Sequence, residues 1–158
     1  MEINRKFHFI SDEQIAEDIG TKKALALKKP KRGSKHSAGY DFFAPFGFTL
    51  KPGDSLKMPT AIKAEMPNSN FLAILPRSSK GFKYFVRLAN TQAVVDADYY
   101  NNEKNEGHIW IKIRNEGNKE MHIKAGESFA QGVFQQYFTT SNDNADATRE
   151  GGIGSTDD

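Results

Sequence analysis

The chain has 158 residues, no cysteine and a net charge of +2. That length suits one domain; the missing thiols exclude disulfides, thiolate catalysis and Cys–zinc sites; and the nearly balanced charge excludes a surface that grips nucleic acid over its whole extent. A hydrophobic share of 37% is low for a monomer of this size, so either the core is modest or another copy buries part of the surface.

Residues 6–10 alternate polar and apolar and predict a strand. Ser11 is placed as an N-cap with Gln14 at the third helical position and Gly20 as a stop, which predicts a short helix over 12–19. Residues 22–37 carry Lys22, Lys23, Lys28, Lys29, Lys31, Arg32 and Lys35, broken by Pro30 and Gly33, and read as a basic loop. From Ala38 the texture changes to short strands separated by turns: GYDFFA, FGFTLK, DSLKMP, AIKAEM, NFLAILP, VRLAN, HIWIKIRN, EMHIKA and SFAQGVFQQYF. Strands of this length and spacing predict an all-β fold, a barrel or jelly-roll sandwich. The last twenty residues are mostly polar, with Ile153 the only bulky apolar side chain, and predict a mobile tail. The expected organisation is an N-terminal strand, helix and basic loop over 1–37 packed on the same domain, a β-barrel over 38–138 and a flexible arm over 139–158. No apolar run approaches the ~20 residues that span a bilayer, and MEINRKFHF has no signal-peptide core. A cytoplasmic location without membrane contact is expected.

Five segments carry chemistry. In the tail, Arg149 precedes Gly151-Gly152-Ile153-Gly154-Ser155-Thr156, a run of exposed N–H groups and hydroxyls suited to phosphate; a flexible terminal tail is the plainer reading. Pro76-Arg77-Ser78-Ser79-Lys80-Gly81 puts donors at a strand end, where an ordinary polar turn is the alternative. In Asn90-Thr91-Gln92-Ala93-Val94-Val95-Asp96-Ala97-Asp98-Tyr99, two carboxylates two residues apart would share one face of a strand. An Asp beside a phosphate site can take a proton from water. Asp41, in the apolar strand of Ala38-Gly39-Tyr40-Asp41-Phe42, needs either an arginine or a metal's water shell. Gln131, in Gly126-Glu127-Ser128-Phe129-Ala130-Gln131, can donate to phosphate or to backbone. His8, His36, His108 and His122 have no ligand-like spacing, so no zinc site is expected. His108 either caps a strand or contacts a base pocket.

In this order, AGYDFFAP, PRSSKG, VVDADYY, GESFAQ and GGIGST resemble the motifs of the trimeric dUTPase family over about residues 38–156. Asn101 to His108, NNEKNEGH, lengthens the usual hairpin and is similar to a stretch in bacterial and phage members. The resemblance implies a jelly-roll-like homotrimer that hydrolyses dUTP to dUMP and pyrophosphate, keeping uracil out of DNA. Each of its three sites would draw motifs from all three chains. It implies that Asp96 activates the water; that Asn90, Ala93, Val95 and the backbone near Trp110 read uracil; and that Tyr99 packs on deoxyribose. Arg77, Ser78, Ser79 and Gln131 would hold the phosphates. Arg149, Ile153, Gly154, Ser155 and Thr156 would close over the nucleotide. Asp41 would be linked to Mg2+ through water. The chain departs from the family at Ala93, usually glycine; at Ile153, usually an aromatic ring; and after Tyr99, where Tyr100-Asn101 replaces Arg-Gly. Weaker substrate affinity is expected from these.

Two other readings compete with this one, and a third would add to it. A dCTP deaminase shares the fold, but would need an acid–base carboxylate beside the base ring. A nucleic-acid or regulatory-protein module could use residues 22–35. No aromatic residue interleaves those basic residues, so nucleic acid is not the expected partner. A regulatory protein partner, known for some phage members, finds no support in these residues.

Overall fold

The computed structural model describes residues 4–21 and 24–152. Strands hold 37% and helices 12% of the chain, so the all-β expectation stands. The elements are β1 (Lys6–Phe9), α1 (Asp12–Asp18), β2 (Lys31–Arg32), β3 (Tyr40–Phe43), β4 (Phe48–Leu50), β5 (Ser55–Pro59), β6 (Ile62–Glu65), β7 (Asn70–Pro76), α2 (Ser78–Tyr84), β8 (Val86–Leu88), β9 (Ala93–Asp96), a 3-10 turn (Ala97–Tyr99), β10 (Trp110–Asn115), β11 (Met121–Ile123) and β12 (Ser128–Gln136).

The largest sheet has the order β2-β3-β12-β7-β9, and a three-stranded sheet has the order β5-β10-β8. Pairs β1–β6 and β4–β11 complete the set, and every pairing is antiparallel. These four antiparallel sheets agree with the jelly-roll-like expectation; no closed ring of strands is seen among the described residues. Their inward faces bury Phe42, Met58, Leu72, Ile74, Ile111, Ile113, Met121 and Phe129. In β10 the alternation is direct: Ile111 and Ile113 face in, Lys112 and Arg114 face out.

The helix expected over 12–19 forms, and the Ser11 hydroxyl accepts from Gln14 N at 3.1 Å. Gln14 does not complete a capping box: its amide donates to Asp18, and Glu106 accepts the Ser11 N–H and hydroxyl. At the other end of α1, Asp18 meets His108 Nδ1, and His108 Nε2 accepts from Ala61 N at 2.9 Å. Accepting at Nε2 fixes the proton on Nδ1, which then donates to Asp18. His108 is thus a buried structural residue that satisfies the N–H just ahead of β6, the strand-capping alternative, and it does not face an open pocket.

Burial holds the His108 ring below its usual 6.5, outweighing the raising effect of Asp18. The unfolded chain therefore binds a proton that the folded chain refuses. Stability is full above about pH 6.5 and falls as the pH drops towards the lower folded value, by up to about 1.4 kcal/mol per pH unit. Urea unfolding between about pH 7.5 and 5 measures this. His108→Gln is expected to remove that share of the slope; an unaltered slope would show that this ring does not carry it.

Two local expectations are corrected. Residues 31–32 pair with Tyr40 and Asp41 as a short strand instead of continuing the basic loop. The segment after Pro76 is not a simple turn but the helix α2, entered at Arg77 and ended by Phe85 in the left-handed region at φ 52°.

Candidate active site

The donors expected to hold phosphates come together. Asp41 lies opposite Gln131 in the β3–β12 register, and Ala130 lies opposite Pro76 in the β12–β7 register. This brings Arg77, the residue after β7, beside a carboxylate 36 positions earlier. Arg77 Nε bonds Asp41 Oδ1 at 3.0 Å, and its Nη1 donates to Ser128. Of the two partners expected for Asp41, the arginine is the one the structure shows. Asp41, Arg77, Ser78, Ser79 and Gln131 line one cavity of about 350 Å³ with Gly33, Ser37 and Gly39. Gln131 donates to the Pro76 carbonyl at 3.0 Å, the backbone alternative; an amide nitrogen has a second hydrogen for a ligand. A Cβ at Gly39 would collide with Gln131 Oε1, so only glycine leaves that amide in place.

A second cleft, of about 340 Å³, opens just past the β8–β10 ladder. Asn90, Ala93 and Trp110 line it with Leu88, Ala89, Ile111 and Lys57. The Trp110 ring lies 4.9 Å from the His108 ring, and Lys57 Nζ stands 4.7 Å over it. Val95 pairs with Leu72 and packs on the core. Ala93 does not adopt the left-handed conformation that a glycine there would allow: the positive φ of this hairpin falls on Thr91, at 64°. The alanine therefore costs no backbone strain.

The third group sits at the end of β9. Asp96 closes the strand and Asp98 lies in the 3-10 turn, so the two carboxylates do not share a strand face as the spacing suggested. They converge on one cation instead. Arg149 Nη2 meets Asp96 Oδ2 and Arg149 Nε meets Asp98 Oδ1, each at 2.7 Å. The same guanidinium stands 5.8 Å over the Tyr99 ring. The Tyr99 ring is not an open platform: it is 8% exposed, and burial raises its hydroxyl above the usual range. Asp96 itself is half exposed, beside a cavity of about 310 Å³ that Asn68, Ala97, Asp98 and Tyr137 line with it.

The structure does not bring Asp96 together with Arg77, Ser78 and Ser79 within one chain. Asp96 pairs with Phe71 near the start of β7, and Arg77 follows the end of that strand. At ~3.3 Å per residue, the two are about 20 Å apart along the sheet. Ala93 and the base-sized cleft lie between them: Ala93 pairs with Ile74, about 10 Å along the sheet from each. Ile153, Gly154, Ser155 and Thr156 lie outside the described residues. No group of three or more His, Asp or Glu among the described residues is arranged to hold a metal ion by protein ligands alone. No described helix is long and apolar enough to cross a membrane.

Sequence reasoning missed three supports: Ser128 on Arg77, Lys57 over Trp110, and the loop 101–108 around Tyr99. Only the last had a signal, the asparagines of NNEKNEGH directly after the tyrosines.

Comparisons with known proteins agree on one family. The family model described as dUTPase matches residues 26–157. The deoxyuridine 5'-triphosphate nucleotidohydrolase of Lactococcus lactis subsp. lactis (strain IL1403) is 39% identical over 136 residues, 85% of this chain and 91% of that protein. The enzyme of the same name from Escherichia phage T5 is 33% identical, over 80% of this chain and 89% of that one. Among solved structures, the dUTPase from Streptococcus mutans superposes with a TM-score of 0.68 at 32% identity, covering 86% of this chain and 98% of that one. A point mutant of the dUTPase from phage phi11 of S. aureus, which coordinates a structural Mg(II) ion, shares the fold at a TM-score of 0.67 and 17% identity, covering 91% and 97%.

Proposed function

We propose a division of labour for this chain, which belongs to the dUTPase family and hydrolyses dUTP: one copy supplies the uracil cleft and the water-activating carboxylate, and neighbouring copies supply the phosphate grip and the closing tail. The observation that carries the proposal is the separation of about 20 Å between Asp96 and Arg77. Neither half can process a triphosphate alone, and the edge strand β9 leaves Val94 56% exposed. An apolar edge of this kind calls for cover. Closed rotational symmetry would supply it and join the two halves. A homotrimer with three shared sites meets both demands.

Uracil enters the cleft of Asn90, Ala93 and Trp110, where backbone groups would match its edge and face a cytosine amino group donor to donor; Val95, packed on the core, would contribute through its backbone alone. Deoxyribose packs against the Tyr99 ring on the side that Arg149 covers until it moves to the phosphates. The triphosphate reaches Arg77, Ser78, Ser79 and Gln131 of a neighbouring copy, which neutralise it as charge shifts to the leaving group. Asp96 takes a proton from a water as its oxygen attacks the α-phosphorus. The bond from that phosphorus to the bridging oxygen breaks, and pyrophosphate leaves dUMP behind. Arg149 leaves Asp96 and Asp98 for the phosphates as the tail closes with Ile153, Gly154, Ser155 and Thr156.

The donor set fits Mg2+ held mainly by phosphate oxygens and waters, since a lone carboxylate, Asp41, is offered at the phosphate cavity. When bound, the ion would neutralise phosphate charge. Pyrophosphate release measured over all deoxynucleoside triphosphates with magnesium tests the uracil assignment. Turnover of dUTP alone is expected; equal turnover of dCTP or dTTP would overturn it.

A further inference from the structure

We propose that Asn105 is a positioning residue for sugar selection, holding the Tyr99 ring at the depth where a 2′-hydroxyl is refused; this rests on the assignment of Tyr99 to deoxyribose. The Tyr99 hydroxyl is pinned from two sides. It donates to the His108 carbonyl at 2.7 Å and accepts from Asn105 Nδ2 at 2.9 Å. Burial raises this hydroxyl above the usual tyrosine range, so it stays protonated and keeps its donor. Asn105 is itself fixed. Its Oδ1 accepts from Asn102 Nδ2 at 2.7 Å and from Gly107 N at 3.1 Å. Asn102 is 8% exposed and its Nδ2 also donates to the Tyr99 carbonyl at 2.9 Å. The two asparagines thus hold Tyr99 by its backbone and by the tip of its ring.

The loop is built for this contact. Asn101, Glu106 and Gly107 have φ of 56°, 60° and 82°, in the left-handed region. A Cβ at Gly107 would stand 2.5 Å from the Tyr99 carbonyl oxygen. Helix α1 backs the loop, through Ser11 to Glu106 and Asp18 to His108. The tail passes the same amide, since a Cβ at Gly152 would lie 3.2 Å from Asn105 Nδ2. Exclusion of one hydroxyl is a matter of ring position, and a site held loosely by its supporting residues loses this kind of precision first.

Asn105→Asp tests the bond. It keeps the acceptor for Asn102 and Gly107 and removes the donor to Tyr99. Tyr99→Phe removes that bond together with the one to the His108 carbonyl, and sets the upper limit of the effect. The readout is the ratio of kcat/KM for dUTP to that for UTP, which a merely structural role would leave unchanged. Asn105→Asp is expected to lower the ratio about tenfold, Tyr99→Phe by at least as much, and the double variant no further than Tyr99→Phe. A ratio that falls in Tyr99→Ala but is unchanged in folded Asn105→Asp overturns the role of Asn105 alone. A ratio unchanged even in Tyr99→Ala overturns the sugar assignment with it.

Discussion

Asp96→Asn is expected to lower kcat for dUTP by about 10²–10⁴-fold, the usual worth of a positioned general base. The substitution keeps the shape of the side chain and one oxygen but removes the charge that attracts the proton. Asp96 is half exposed at the end of an edge strand, so little folding energy depends on it. One of its neighbours does change: Arg149 loses its partner at Asp96 and keeps the one at Asp98. Exposed pairs of this type contribute only about 0–1 kcal/mol, so thermal unfolding is expected to shift by a few degrees at most. KM is expected to move far less than kcat, because an asparagine leaves the cleft at Ala93 and Trp110 untouched. Steady-state kinetics with magnesium separates the two parameters. A kcat within about threefold of the unaltered chain would remove Asp96 from the water-activating role.

What the sequence made legible was local. Strict alternation in Trp110–Asn115 and Ser11 before an acidic first turn each describe a nearest-neighbour preference, and both elements formed where expected. Helix α2 was hidden because its capping position is Arg77, with no side-chain bond, and because Phe82 is 86% exposed, so no apolar face announced it. For Asp41 an arginine partner was anticipated only as one of two options, and Arg77 was not singled out. Its choice depends on the registers of β3 and β7 against β12, which alternation alone does not number. Glu106 at φ 60° lay beyond reach for a different reason: its left-handed backbone is imposed by the packing of its loop on Tyr99 and α1, and glutamate carries no preference for it. The site residues were therefore nameable one at a time, while their division into two groups at opposite ends of β7 needed the pairing of β7 with β9.

That division gives the sharpest expected result. Asp96→Asn and Arg77→Ala are each expected to be nearly inactive as purified homotrimers. Unfolded together in equal amounts and refolded, they are expected to recover activity. A working site needs an intact Asp96 from one chain and an intact Arg77 from another. Each is supplied by half of the chains, so random assembly in a symmetric ring restores roughly a quarter of the sites. Were both residues of a site to come from the same chain, no mixture of the two variants would contain a complete site, and activity would stay at the level of the separate variants. Arg77 bonds Asp41 and Ser128, so its loss disturbs the cavity locally. The double variant mixed with the unaltered chain controls for this. Because one chain then carries both defects, a site needs two unaltered chains, and recovery is again expected near a quarter instead of the half that single-chain sites would give. Recovery near zero in the first mixture, with folded trimers present, would place the whole site in one chain and contradict the separation of about 20 Å from which the proposal proceeds.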